Sequence, residues 1–219
     1  MEPEDFKLIK QEITEIEQAL GTQEGFFTSL IKSETDWAFI IKLHAFFEAV
    51  CTVVILKALG KNELKDVISR ANIRVKTQYI EKLSLLGKEA VEFIRGLSNL
   101  RNTYVHNIKN VSLDLETYLK QLDKAKRNEF VEKLGYSIAE EIKIRKITVK
   151  KKDFILENPR LAIHLGAFSV LSELSAQLVK EKLRLREVDI EKKEAEFHKR
   201  ITDFFLAYLT PVRADDRAS

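Results

Sequence analysis

An arginine, an asparagine and a histidine stand close together in the run Leu100-Arg101-Asn102-Thr103-Tyr104-Val105-His106-Asn107. Arginine carries a permanent planar fork of donors that suits phosphate. Histidine exchanges a proton near neutral pH, and asparagine can orient either one. On a helix, Asn102 and His106 are four apart and share a face. Arg101 and His106 are five apart, about 140° round the axis. A single straight helix does not converge those two on one phosphate. The helix distorts, or Arg101 wraps round, or a second copy of the segment completes the site. Two further groups of residues bear on chemistry. His44 and Glu48, four apart, form a buried pair or line a polar site. The stretch 143–152 holds six bases and no acid: Lys143, Arg145, Lys146, Lys150, Lys151 and Lys152. Such a patch can meet an RNA backbone, and a solvated edge has the same composition.

Other chemistries have no footing. The chain lacks a Gly-rich phosphate loop, a GxSxG elbow, an HExxH pair and a CxxC pair. One cysteine, Cys51, excludes an internal disulfide, and its apolar setting marks an inert thiol. Four scattered histidines argue against a metal site, so no cofactor is expected. His164 lies between Ile163 and Leu165 and reads as a packed ring; His198, among charges, reads as solvated. The first 24 residues carry seven acids against two bases, although the whole chain is nearly balanced at +3. The opening MEPEDFKLIK has no basic segment leading into an apolar one, so the expected location is cytoplasmic.

The elements that position these groups are helices. Of 219 residues only 7 are Gly and 3 are Pro, too few punctuators for a sandwich or barrel. Phe6, Ile9, Ile13, Ile16 and Leu20 mark an amphipathic helix that stops near Gly21. Ser33 and Asp36 resemble a capping box for a second helix, apolar almost all round, that ends at Gly60. Its length suits a bilayer, but Lys42, His44, Glu48 and Lys57 interrupt it. A central helix enclosed by others accounts for it better. Asn62 is a cap for a helix over 63–70, another helix covers 75–86, and Gly87 separates it from the one carrying Arg101. Ser112 is a cap for a helix reaching Leu134. Residues 136–157 mix β-branched residues with lysine, which fits a short hairpin or extended arm near 142–152. Asn158-Pro159 restarts the chain as a long helix, with Leu171, Leu174, Leu178, Leu185 and Val188 on a heptad seam.

The motif carries a resemblance. RNTYVH matches the Arg-Asn-x-x-x-His signature of the HEPN superfamily (higher eukaryotes and prokaryotes nucleotide-binding domains). Ser33-Glu34-Thr35-Asp36 before the apolar helix, and Leu83 to Gly87 before the signature, resemble its mannitol-operon-repressor-like branch. There an acidic Glu-Ser-Asp element and a Leu-Gly step take those places. Thr35, Trp37 and Val105 depart from that branch's usual Ser, Arg and Ala. The resemblance covers residues 28–135 and implies a four- to five-helix bundle, usually dimeric, with signature helices facing across a two-fold axis. Many members are metal-independent endoribonucleases. On that precedent His106 is the acid or base, Arg101 the phosphate clamp and Asn102 the orienting residue, with Glu34, Asp36 or Glu48 holding Arg101 poised. The same residues can instead join helices through buried hydrogen bonds, and repressor-like members need not cleave RNA.

The expectation is therefore an all-α, HEPN-like bundle over 1–135, a basic connector over 136–157, C-terminal helices over 158–210 packed on the bundle, and a disordered tail over 211–219. Its function is RNA binding with metal-independent endoribonuclease activity in a toxin, defence or RNA-processing role. The alternative is a non-catalytic regulatory module. Expected partners are a second copy, RNA and a protein such as an antitoxin, with no membrane. The apolar seams Phe6–Leu20 and Leu171–Val188 are spare strips that a second copy could cover.

Overall fold

The computed structural model describes residues 3–106, 108–144 and 147–209. They form an all-α bundle with one small hairpin and a helical C-terminal extension. Two compact units divide the chain, Met1–Val179 and Lys180–Ser219.

In the first unit the core is built round α3 (Asp36–Leu59), whose nine buried residues run from Phe39 to Ile55. Because α3 is apolar on every side, it can be walled in by several helices at once. It packs against α1 (Pro3–Ala19), α4 (Lys65–Arg70), α5 (Ile73–Lys82) and α6 (Lys88–His106). Next come α2 (Phe26–Ser29), α7 (Leu115–Gln121), α8 (Lys124–Leu134) and α9 (Lys151–Glu157). The last helix, α10, is assigned Pro159–Leu209; its part up to Val179 belongs to the first unit. By length and composition α3 can span a membrane, and so can Pro159–Arg184.

Three helix starts differ from expectation. Thr35, not Ser33, caps α3: its Oγ1 accepts from the Ala38 N–H at 3.1 Å. Ser33 closes a 3₁₀ turn over Leu30–Lys32 instead. Asn62 opens another 3₁₀ turn, so α4 begins only at Lys65. The single helix expected after Ser112 is two, because Asp114 and Asp123 each cap one: they accept from Thr117 N–H at 2.7 Å and Lys126 N–H at 2.9 Å. Asn72 caps α5 in the same way through Val75 N–H at 3.0 Å.

The hairpin forms where the β-branched run suggested. Strands β1 (Glu141–Ile144) and β2 (Ile147–Lys150) pair antiparallel, with Glu141 opposite Lys150 and Ile142 opposite Val149. Ile142 and Val149 turn to the core, while Ile147 near the tip is 68% exposed. Arg145 and Lys146, and the tail over 211–219, lie outside the described residues.

The described side chains of both strips in the first unit pack into its core. Ile16 is fully buried, with Ile13 and Leu20 packed beside the core, and Leu171, Leu174 and Leu178 are buried as well. The side chains of Phe6, Ile9, Leu185 and Val188 lie outside those described. Part of the N-terminal acidity is also internal. Buried Glu12 meets Lys57 of α3 at 3.0 Å, and both carboxylate oxygens of buried Glu17 accept backbone N–H groups, from Gly25 at 2.8 Å and Phe27 at 2.9 Å.

One cluster ties distant segments. Asp36 Oδ1 accepts from Arg160 Nε, and its Oδ2 accepts from Leu115 N–H at 2.6 Å. Arg160 also donates to the Ser33 carbonyl at 2.8 Å and lies over the Phe39 ring at 5.7 Å. The starts of α3, α7 and α10 are thereby pinned to one carboxylate. Further along α10, Gly166 lets that helix approach α6: a Cβ there would stand 2.6 Å from the Phe93 ring.

In the second unit the described part, 180–209, is helical. Leu183 is exposed, and Lys193 meets Asp189 one turn back at 2.7 Å.

Candidate functional site

Helix α6 delivers the signature on its last two turns. Buried Phe93, Ile94, Leu97, Leu100 and Tyr104 fix its rotation against the core. That rotation leaves Asn102 and His106 exposed and Arg101 half-buried at the edge of the interface. Arg101 Nη1 donates to Asn102 Oδ1 at 3.1 Å. Beyond His106, Asn110 Nδ2 donates to the Thr103 carbonyl at 2.9 Å, giving a partner to a backbone group in the last turn of the helix. Tyr104, fully buried, holds its ring 5.6 Å from that of Tyr118. Burial pushes its phenol up, so it carries no charge in the working pH range.

The residues expected to support Arg101 fall into two places. At the start of α3, Glu34 is exposed and lies 3.6 Å from Lys42 Nζ, while Asp36 is committed to Arg160 and Leu115. Two turns on, His44 lies close enough to feel the charges of Arg101 and Glu48, but His44 and Glu48 do not hydrogen-bond to each other. Glu48 lies 3.8 Å from Lys76. Buried Lys76 also donates to the Glu48 carbonyl at 3.3 Å and the Ser69 carbonyl at 3.4 Å. His44 Nε2 is buried without a hydrogen-bond partner among the described residues. Burial first, then the charges of Arg101 and Lys76, hold the ring below its ordinary titration range; the Glu48 charge opposes them. No carboxylate pairs with Arg101 among the described residues, contrary to expectation.

The basic stretch is less of a comb than its sequence suggests. Lys151 lies 3.4 Å from Glu140, Lys152 donates to Asn128 at 2.9 Å, and Lys150 faces Glu141 across the hairpin. Lys143 is exposed. His164 stacks on Phe27 at 4.8 Å, and burial lowers its pKa. Cys51 is wholly buried, its thiol pushed up to about 12 by loss of solvent. The side chain of His198 lies outside those described. Among the described residues no three His, Cys, Asp or Glu side chains gather as a metal site.

Sequence reading missed two adjoining cavities on the outer face of α6. One, of about 540 Å³, lies between α5, α6 and α8 and is lined by Arg74, Arg95, Asn99 and Lys133 among others. The second, of about 250 Å³, shares Asn99 and Lys133 and continues to Tyr118 and Phe130. The available signal was the polar stripe Glu92-Arg95-Asn99, which alone looks like any solvated helix face.

No family model, curated protein or solved structure matches this chain.

Proposed function

We propose that this chain is a HEPN-type RNA-binding protein and a metal-independent endoribonuclease. The observation that supports the reading is the presentation of the signature. Arg101 meets no carboxylate among the described residues, and Asn102 and His106 are open to solvent. A phosphate clamp and a proton carrier are thus displayed, not consumed as buried joints. In the proposed reaction His106 takes the proton from an RNA 2′-hydroxyl as that oxygen attacks the adjacent phosphorus. The 5′-oxygen of the next nucleotide leaves and takes a proton from water, giving a 2′,3′-cyclic phosphate and a 5′-hydroxyl. Arg101 stabilises the charge that grows on the phosphate oxygens. The rotation between Arg101 and His106 favours a homodimer in which the two residues come from different copies. A cytoplasmic setting, with a protein partner such as an antitoxin, belongs to the same reading.

A non-catalytic regulatory module, acting through protein contacts, is the second reading. It is favoured by the hydrogen bond between Arg101 and Asn102, which occupies part of the guanidinium fork within the helix.

Mixed RNA incubated with the protein in EDTA distinguishes them. Expected are 2′,3′-cyclic ends and at least a roughly 100-fold loss in His106→Ala, the low end for one acid–base group. Exposed His106 can be removed with little effect on the melting temperature. Mixing Arg101→Ala with His106→Ala protein should restore part of the activity. Intact RNA at high protein concentration assigns the chain to the regulatory module.

A further inference from the structure

The hairpin leaves the outer edge of β1 open beside α10. Its strands close at the Ile144–Ile147 pair, and at its base Lys151 N–H donates to the Glu140 carbonyl at 2.9 Å. Bonded pairs alternate along an antiparallel ladder, so the pairs at 140, 142 and 144 hold the strands together. The N–H and C=O groups of Glu141 and Lys143 therefore point away from β2. None of them has a backbone partner among the described residues. A cavity of about 420 Å³ lies there, lined by Glu141, Ile142 and Lys143, with none of β2 among the described residues. Successive side chains point to opposite faces of a strand. A cavity that meets three in a row without touching the paired strand meets β1 at its free edge. The opposite wall is α10, where Leu165 and Phe168 are 43% and 38% exposed. The Tyr136 hydroxyl donates to Glu173 of that helix, which ties the approach to β1 against it.

We propose that this groove captures an extended segment of a partner protein, which adds to β1 as a third strand. An unpaired row of backbone donors and acceptors is met by another strand and by no helix. Alternate side chains of the added strand turn inward, against Ile142, Leu165 and Phe168; the others lie beside Glu141 and Lys143 on the outer face. Leu165 and Phe168, three apart on α10, share one side of that helix and form the apolar anchor. Charge sets the type of the outward residues. Glu141 stands opposite Lys150 across the hairpin, whereas exposed Lys143 has no ion pair among the described residues. The stretch 143–152 adds five further bases and no acid. The fitting partner is a segment in which apolar and acidic residues alternate. This surface shares no residue with the signature on α6, and it does not depend on RNA being cleaved.

The test is fluorescence anisotropy of a labelled, capped hexapeptide of alternating valine and glutamate, titrated with the full chain. A peptide of the same composition in two blocks, valines then glutamates, should bind about tenfold more weakly or worse. Backbone N-methylation of the valines and of the glutamates, made separately, should give opposite results. One set of N–H groups faces β1 and its methylation abolishes binding; the other faces away and its methylation is tolerated. Lys143→Pro removes an outward N–H and leaves the hairpin's own bonds in place. It should weaken the peptide about tenfold with the melting temperature retained. Lys143→Glu, at an exposed side chain, should come to prefer a peptide with lysine in place of glutamate. No binding, equal binding of the block peptide, or equal effects of the two methylated sets overturns the proposal. A dimer in light scattering that Lys143→Pro converts to monomer gives the edge to a second copy and overturns it too. Peptide binding without RNA cleavage rejects the nuclease alone.

Discussion

At the scale of single residues, two histidines stand in a different setting from exposed His106. His44 and His164 are both half-buried, and desolvation lowers the pKa of each below the ordinary value of 6.5. Glu48 alone pulls His44 the other way, against Arg101 and Lys76. The unfolded chain therefore binds more protons than the fold between the depressed values and pH 6.5. Stability is complete above that pH and erodes as pH falls through the window. Thermal melts should drop between pH 7 and 5. His164→Phe, which keeps a ring against Phe27 and removes the titrating group, should make that drop shallower. An unchanged profile would show that His164 takes up no proton there. The signature residues were legible in the sequence because their spacing and their place at the end of an apolar run are local facts. The loss of the His44–Glu48 pair was not, since the competitor, Lys76, lies on another helix.

At the scale of elements, periodicity identified the helices and misjudged where several begin. Ser33, Asn62 and Ser112 all have side chains able to cap. Which residue caps is decided by where the backbone turns into the helix, and here 3₁₀ turns shift that point by two or three residues. Asp123 was overlooked because α7 and α8 continue one apolar pattern across the break. The close passage of α6 and α10 depends on a residue that periodicity treats as a blemish. Gly166→Ala would set a methyl 2.6 Å from Phe93. It should cost about 1–3 kcal/mol by overpacking. Gly87→Ala, with nothing within 4 Å of the added carbon, should stay within about 0.5 kcal/mol. Urea unfolding of the two variants measures the contrast, and equal midpoints would refute it.

Across the molecule, one long-range tie is hardly visible in the sequence. Asp36 and Arg160 are 124 residues apart, and Leu115 joins them through its backbone. Resemblance pointed Asp36 toward Arg101; folding gives it to Arg160. Asp36→Ala leaves a half-buried guanidinium and a backbone N–H without their acceptor. It should cost about 2–4 kcal/mol. Lys42→Ala, which removes only the exposed pair with Glu34, should leave the unfolding midpoint close to that of the parent. Similar unfolding midpoints for the two would deny Asp36 its central place. The cavities on α6 were illegible for the same reason as this tie: each needs three segments brought together, and no local pattern encodes that. Cys51, meanwhile, sits at the centre of α3, wholly enclosed, with its thiolate disfavoured to about pH 12. A thiol reagent meets nothing to attack while the bundle is shut. The chain thus carries its own clock for opening, one atom of sulfur whose modification records how often the interior is laid bare.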